Sequence, residues 1–339
     1  MTHTSVNELI IGTSAVARDL RETVRRAAPH SAPVLIQGPT GAGKELVAHG
    51  LHVESGRRGR FVTFNAAAIP ESLFETEVLG HVRGAFSGAV RDRAGLLRSA
   101  NHGTAFIDEI GELSPLAQAK MLRVLDAYEV SAVGSDVTEK VNFRLVTATN
   151  VNLLSAAGDG RFRTDLIFRL RGIVISVPAL RDHPEDIAPL TAHFARMIAD
   201  SSNTGEISFT PAALRRLEAY SWPGNVRELR QAIQHAAFLA NGSTIGELHV
   251  KQVLAWGRDG AVELASQLEN DRRKFLELLA AYEGNVNGVA RALGVDRSTV
   301  YRRMQRLGLS GVPRGLSRVP VSAMEELCES DEHARVIRS

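Results

Sequence analysis

Gly38-Pro39-Thr40-Gly41-Ala42-Gly43-Lys44 follows the apolar run Val34–Gln37 and opens a helical pattern. Glycines let backbone N–H groups close around phosphate oxygens, the helix start adds positive potential, and a lysine reaches the outer phosphates. Loops of this kind usually end in Ser or Thr, whose hydroxyl touches magnesium; here Glu45 stands in that place. A second group, Thr104-Ala105-Phe106-Ile107, closes on Asp108 and Glu109. An apolar strand ending in two carboxylates presents both at the carboxyl edge of a sheet, where ligands bind in open α/β folds. Asp108 suits a magnesium ion held through water, and Glu109 suits orienting an attacking water. Alone, such a pair is usually a solvated strand end. Paired with the upstream loop, it points to ATP, magnesium and phosphoryl transfer to water.

These residues need a parallel sheet wrapped by helices, and the first two-thirds of the chain alternate short apolar runs with helical patterns in that way. Candidate strands are 34–37, 61–65, 104–108, 143–149 and 173–177. Between them lies the helical pattern 115–128, with Leu116, Met121, Leu122 and Leu125 on its apolar face. After Pro178 the strands stop, and 184–200, 211–220 and 225–241 read as helices, the second with Thr210 as N-cap and Pro211 in its first turn. The expected fold is α/β with a helical lid subdomain, followed by an all-α unit. The expected division is 1–177 for the nucleotide subdomain, 178–256 for the lid, 257–263 for a linker, 264–310 for a helix-turn-helix and 311–339 for a mobile tail.

The 339 residues carry a net charge of only +2, with 44% apolar and 23% charged residues, an ordinary globular balance. Charge is unevenly placed. From Asp271 to Arg318 ten Lys and Arg stand against four acidic residues, which marks this segment as phosphate-facing. Val286–Leu293 reads as one helix, Gly294-Val295 as a turn and Arg297–Leu307 as a second helix. Val289, Ala290, Leu293, Val295, Val300, Met304 and Leu307 are the expected packed side. Arg297, Ser298, Thr299, Tyr301, Arg302, Arg303 and Arg306 are the expected DNA-facing side, early residues toward base edges and later arginines toward phosphates. The alternative is a helical hairpin with solvated arginines. No apolar run nears the ~20 residues of a membrane span, no secretory leader is apparent, and the single cysteine, Cys328, cannot form an internal disulfide. A cytoplasmic protein is expected.

Five further runs occur in order: ETEVLGHVRGAFSGA at 75–89, the Asp-Glu strand, TATN at 147–150, GRFRTDLIFRL at 160–170 and WPGNVREL at 222–229. Together they resemble the AAA+ activators of sigma-54 RNA polymerase, over roughly Leu9 to Leu309, and the C-terminal unit resembles their Fis-type helix-turn-helix. The resemblance accounts for Glu45, since the family's Walker A loop also has Glu after the lysine. It implies that Gly38 to Glu45, Asp108 and Arg227 bind nucleotide, with Asp108 on magnesium and Arg227 as second sensor. It also implies that Glu109, Asn65 and Asn150 serve catalysis, Asn65 by pairing with Glu109 and reporting the nucleotide state. Arg163 and Arg169 correspond to arginine fingers that complete a neighbouring subunit's site. Gly84-Ala85-Phe86-Ser87-Gly88-Ala89 corresponds to the loop that touches the sigma factor.

The chain departs from the family at Ser87 (usually Thr), His102 (usually Gly) and Ala66 (often Cys). The resemblance implies a hexameric ring, sigma-54 RNA polymerase and upstream double-stranded DNA as partners. Because about eight residues precede the motor, control in trans is expected, by a trans-acting regulatory protein or by expression level. Two other readings remain: a repressor that has lost the sigma contact, disfavoured by the intact loop, and a general AAA+ remodelling ATPase, disfavoured by that loop and the helix-turn-helix.

Overall fold

The computed structural model describes residues 5–202, 205–241, 244–282, 285–307 and 309; the expected tail 311–339, with Cys328, lies outside them. Two compact units are present, Met1–Val253 and Leu254–Ser339.

In the first unit the described strands are β1 (Val34–Gln37), β2 (Phe61–Asn65), β3 (Gly80–His81), β4 (Arg93–Ala94), β5 (Thr104–Asp108), β6 (Glu129–Ser131), β7 (Thr138–Lys140), β8 (Arg144–Thr149) and β9 (Ile173–Ser176). Five form one sheet in the order β2-β5-β8-β1-β9, every pair parallel. Runs such as VLIQ, TAFID and RLVTAT carry apolar or β-branched residues on both faces, as a sheet covered on both sides requires. The two faces feed separate cores. Leu35, Ile107 and Leu145 belong to one, Ile36, Phe106 and Val146 to the other.

Register sets the site. Asn65 lies beside Asp108 and Gln37 beside Thr149, so the phosphate loop, the two carboxylates and Asn150 all leave the sheet at its carboxyl edge. β3 with β4, and β6 with β7, are antiparallel ribbons outside that sheet. They are too short to be read from alternation alone.

Buried Arg144 anchors β8 to the helix Ala15–Ala27, donating from Nη1 and Nη2 to the carbonyls of Ala28 and Ala27 at 2.6 and 2.7 Å. Burial, with a smaller contribution from Arg57, lowers its pKa to about 10. The guanidinium still holds its charge at neutral pH, where it faces the negative end of a helix dipole.

Several expectations are corrected. The helix Pro115–Ala127 buries Ala117, Gln118, Met121, Val124 and Leu125, while Leu116 is exposed because it sits one position off the buried stripe. Residues 184–200 divide into a single 3-10 turn, Pro184–Asp186, and the helix Ile187–Ser202. His102 adopts a left-handed φ of 58°, a conformation glycine takes at lower cost. The break expected at Gly257–Gly260 is absent, for the helix Glu247–Ala281 runs through it. Two interior glycines cost about 1 kcal/mol each, too little to end a helix of that length. Among the described residues no helix is long and apolar enough to cross a membrane.

In the second unit the helices Val286–Leu293 and Arg297–Arg306 are joined at Gly294, whose φ is 65°. Asn285 caps the first, accepting from the N–H groups of Asn287 and Gly288 at 3.1 Å. Phe275, Leu279, Val289, Val300, Tyr301 and Met304 are among the residues of their core.

Candidate functional site

The phosphate loop is shaped by contacts that leave no room for side chains. A Cβ at Gly38 would lie 2.5 Å from the carbonyl oxygen of Val177, and one at Gly41 would lie 2.3 Å from that of Gly224. Gly41 and Gly43 also take φ values of 77° and 97°, in the left-handed region that glycine reaches without strain. Gly43 caps the helix Lys44–Glu54, so free N–H groups of its first turn face the loop.

Lys44 is buried, 7% exposed. Its Nζ donates to the carbonyls of Gly38 and Pro39 at 3.0 and 3.4 Å and lies 3.8 Å from Glu109 Oε1. Glu109 itself has φ 50°, a costly conformation for a non-glycine residue that tends to mark working sites. Its Oε2 accepts from the Asn150 N–H at 3.4 Å, and Asn150 Nδ2 donates to Thr40 Oγ1 at 2.9 Å. Asp108 Oδ1 accepts from the Glu109 N–H at 3.0 Å. One cation, two carboxylates and an amide thus converge over the loop, with lysine and glutamate partly cancelling each other.

Asn65 ends the strand next to Asp108, but its Oδ1 accepts from the Ala67 N–H at 2.8 Å and caps a 3-10 turn. Among the described residues no hydrogen bond joins it to Glu109, whose partners here are Lys44 and Asn150. The pairing implied by the resemblance is not made in this conformation.

The lid reaches the backbone of the loop. Asn225 Nδ2 donates to the Thr40 carbonyl at 2.9 Å, and the Arg227 N–H to the Gly41 carbonyl at 3.2 Å. Asn225 and Trp222 have positive φ values of 54° and 47°, held by the Trp222 Nε1 bond to the Leu217 carbonyl at 2.8 Å and by Asn225 Oδ1 accepting from the Leu180 N–H at 2.9 Å. The Arg227 guanidinium has no partner among the described residues and is exposed.

Beside the loop a cavity of about 440 Å³ opens, walled by Ile10, Ile11, Ala42, Leu190, Phe194 and Val226 among others. Its mostly apolar lining at the start of the post-loop helix fits a flat heteroaromatic base. Sequence reasoning missed it, since its walls come from the N-terminal segment, the loop and the lid. Asp186 holds these parts together. It is 1% exposed and accepts from the N–H groups of Thr13 and Ser14 at 2.7 and 2.8 Å and from the Ser14 hydroxyl at 2.5 Å. Gly12 makes this approach possible, because a Cβ there would lie 2.7 Å from the carboxylate.

Burial pushes the Asp186 carboxyl up, but hydrogen bonds from Ser14 and Thr13, with His183 nearby, outweigh it and leave the group below the usual range. A carboxylate held lower in the folded chain binds fewer protons there than when unfolded. It therefore contributes stability above the unfolded value of about 3.9, and that stability is lost as pH falls through the folded value. Asp186→Asn should cost about 2 kcal/mol near neutrality, the scale of a charged hydrogen bond. The gap in melting temperature between variant and wild type should then narrow below about pH 4.

Arg163 pairs with Asp165 through Nε and Nη2 at 3.0 and 2.7 Å, which holds the Asp165 carboxyl below its ordinary range. Arg169 pairs with Asp126 at 2.7 Å. Both arginines are exposed, and among the described residues neither is bonded to the phosphate loop of its own chain.

The Gly84–Ala89 turn leaves the β3–β4 ribbon. Gly84 has φ 82°, its N–H donates to the Ala89 carbonyl at 2.9 Å, and the Ala89 N–H donates to the Phe86 carbonyl at 3.0 Å. Phe86 is 45% exposed, with its ring edge-on to His81 at 5.0 Å, so it leans on the ribbon more than an unsupported tip would. Ala89 is buried.

In the second unit Arg303 is exposed and lies over the Phe275 ring at 5.6 Å. Thr299 and Arg297 are half-buried. Tyr301, expected on the DNA-facing side, is 8% exposed within the core, where its hydroxyl accepts from Arg297 Nη2 at 3.4 Å. The ring completes the apolar stripe with Val300 and Met304. Val295, expected in that stripe, is exposed instead because it follows the left-handed turn. The side chains of Ser298, Arg302 and Arg306 lie outside the described residues.

Comparison with known proteins agrees along the chain. Residues 10–176 match the family described as Sigma-54 interaction domain, residues 181–267 the AAA+ ATPase lid domain, and residues 271–307 the Bacterial regulatory protein, Fis family. The chain is 40% identical over 301 residues to the transcriptional regulatory protein ZraR of Salmonella typhimurium, covering 88% of this chain and 68% of that one. It is 38% identical over 325 residues to the anaerobic nitric oxide reductase transcription regulator NorR of Klebsiella pneumoniae, covering 90% and 63%. Among solved structures, NtrX from Brucella abortus in complex with ATP aligns with a TM-score of 0.66 and 32% identity over 88% of this chain and 69% of that one.

Proposed function

The chain belongs to the sigma-54-dependent transcriptional activators, AAA+ ATPases that carry a Fis-type helix-turn-helix, and we propose how its residues carry out that work. The observation that supports the assignment best is the convergence of Lys44, Asp108, Glu109 and Asn150 over the phosphate loop, beside an apolar cavity of about 440 Å³.

In this reading the cavity takes the adenine of ATP. The N–H groups of residues 41–45 and the Lys44 ammonium take the phosphates, and Arg227 adds its charge from the lid. The donor set suits magnesium, with Asp108 holding it through water; bound there, the ion would neutralise charge developing on the outer phosphates. Glu109 orients the attacking water and accepts its proton. Asn150, joined to both Thr40 and Glu109, keeps the carboxylate in line with the loop.

Arg163 and Arg169 act on the site of a neighbouring subunit in a hexameric ring. Their ties to Asp165 and Asp126 exchange for phosphate, which the planar guanidinium binds bidentately. The Gly84–Ala89 turn moves with the nucleotide state and presses Phe86 on sigma-54. Arg297, Thr299 and Arg303, with Ser298 and Arg302, contact upstream DNA. The protein works in the cytoplasm.

In vitro transcription on matched promoters separates this from the other readings. With ATP, the chain should activate sigma-54 holoenzyme and leave the housekeeping holoenzyme unaffected. Repression, or ATP turnover without activation of sigma-54 holoenzyme, contradicts the assignment.

A further inference from the structure

Among the residues walling the cavity, His183 has a protonation pattern that its neighbours dictate. Its Nδ1 lies 3.0 Å from Asp186 Oδ2. That carboxylate already receives the Thr13 N–H, the Ser14 N–H and the Ser14 hydroxyl. A carboxylate gathered by so many donors is ionised, so Nδ1 carries the ring proton, and in the neutral ring Nε2 is an acceptor. Nε2 has no hydrogen bond among the described residues, and it is not among the sealed, unpartnered polar atoms. The side chain is 13% exposed, and His183 is one of the residues that wall the cavity.

The other polar side chains of the wall are those of Glu8, Asp186, His193 and Arg230. The Asp186 oxygens are occupied, and Glu8 Oε2 accepts from the Ser5 N–H at 3.2 Å. Arg230 has only donors to offer. No hydrogen bond among the described residues dictates which nitrogen of His193 carries its proton.

We propose that His183, set by Asp186, selects the base: Nε2 accepts from the exocyclic amino group of a 6-aminopurine and turns away a 6-oxopurine, which would oppose it with a second acceptor. The proposal rests on the reading of the cavity as the base-binding half of the nucleotide site. A site built to meet one polar group rejects an analogue lacking it more strongly than an apolar wall does, because its own buried group is left unpaired.

The test is equilibrium binding of ATP, ITP and purine riboside triphosphate to the full chain with magnesium, for wild type, His183→Phe and His183→Gln. Wild type should prefer ATP over ITP by about tenfold or more, with the unsubstituted purine between them. His183→Phe should bring ATP and ITP within about twofold, chiefly by weakening ATP. His183→Gln, whose amide can turn either face to the base, should bind both about equally. A wild-type preference that survives in both variants overturns the proposal, as does a wild type that binds ATP and ITP alike. A wild type that binds none of the three overturns the nucleotide reading of the cavity, and the role of His183 with it.

Discussion

Glu109→Gln should slow ATP turnover by about 10²- to 10⁴-fold, the range for loss of a general base, while ATP affinity stays within about threefold of wild type. The separation follows from geometry. In the proposed site Lys44 and the loop N–H groups would meet the phosphates directly, whereas Glu109, 3.8 Å from Lys44 Nζ, would act on water. An amide keeps the side chain's size and its capacity to accept from the Asn150 N–H, but it cannot take a proton from water. Removing the negative charge also frees Lys44 from a competitor for its positive charge, so binding should hold or tighten. Single-turnover hydrolysis and equilibrium binding on the same preparation measure both quantities. Loss of affinity in step with rate would mean that Glu109 holds the loop together and does not act on water.

Phe86→Ala should leave ATP turnover within about twofold of wild type and reduce transcription from a sigma-54 promoter by roughly 30- to 1,000-fold. That range corresponds to the ~2–4 kcal/mol lost when a central aromatic anchor is truncated. The turn can bear the change. Its backbone is closed by the Gly84–Ala89 and Ala89–Phe86 hydrogen bonds, and the ring's one described aromatic contact is with His81. Because the ring is half-exposed, its removal costs the fold little and a partner much. Transcript yield and phosphate release, read in one reaction, separate the two effects. Equal loss of both would place Phe86 in the folding of the motor and take away its role as the contact with polymerase.

The parts of the site legible in the sequence are those carried by consecutive residues. The phosphate loop, the Asp108–Glu109 strand end and the turn before Arg227 each announce themselves by local spacing, because backbone conformation there depends on glycines and on a strand that stops. The cavity is different: Ile10, Ala42 and Phe194 meet only after the lid folds back, and no periodicity ties them together. The Asp186 bonds to Thr13 and Ser14 span more than 170 residues, and the Arg144 bonds to Ala27 and Ala28 more than 110. A lone Asp or Arg carries no mark of such a partner. Tyr301 was misplaced for another reason. Its hydroxyl suggests an outer face, yet the ring is the larger part and fills the core, leaving the oxygen to Arg297. The unbroken helix through Gly257–Gly260 shows that two glycines weaken a long helix without ending it.

Promoter opening tests the central claim most directly. With wild-type chain, sigma-54 holoenzyme and a sigma-54 promoter, melted DNA should form with ATP and fail to form with an analogue that binds but is not hydrolysed. Equal opening with both nucleotides would contradict the claim that turnover at Glu109 drives the work done by Phe86.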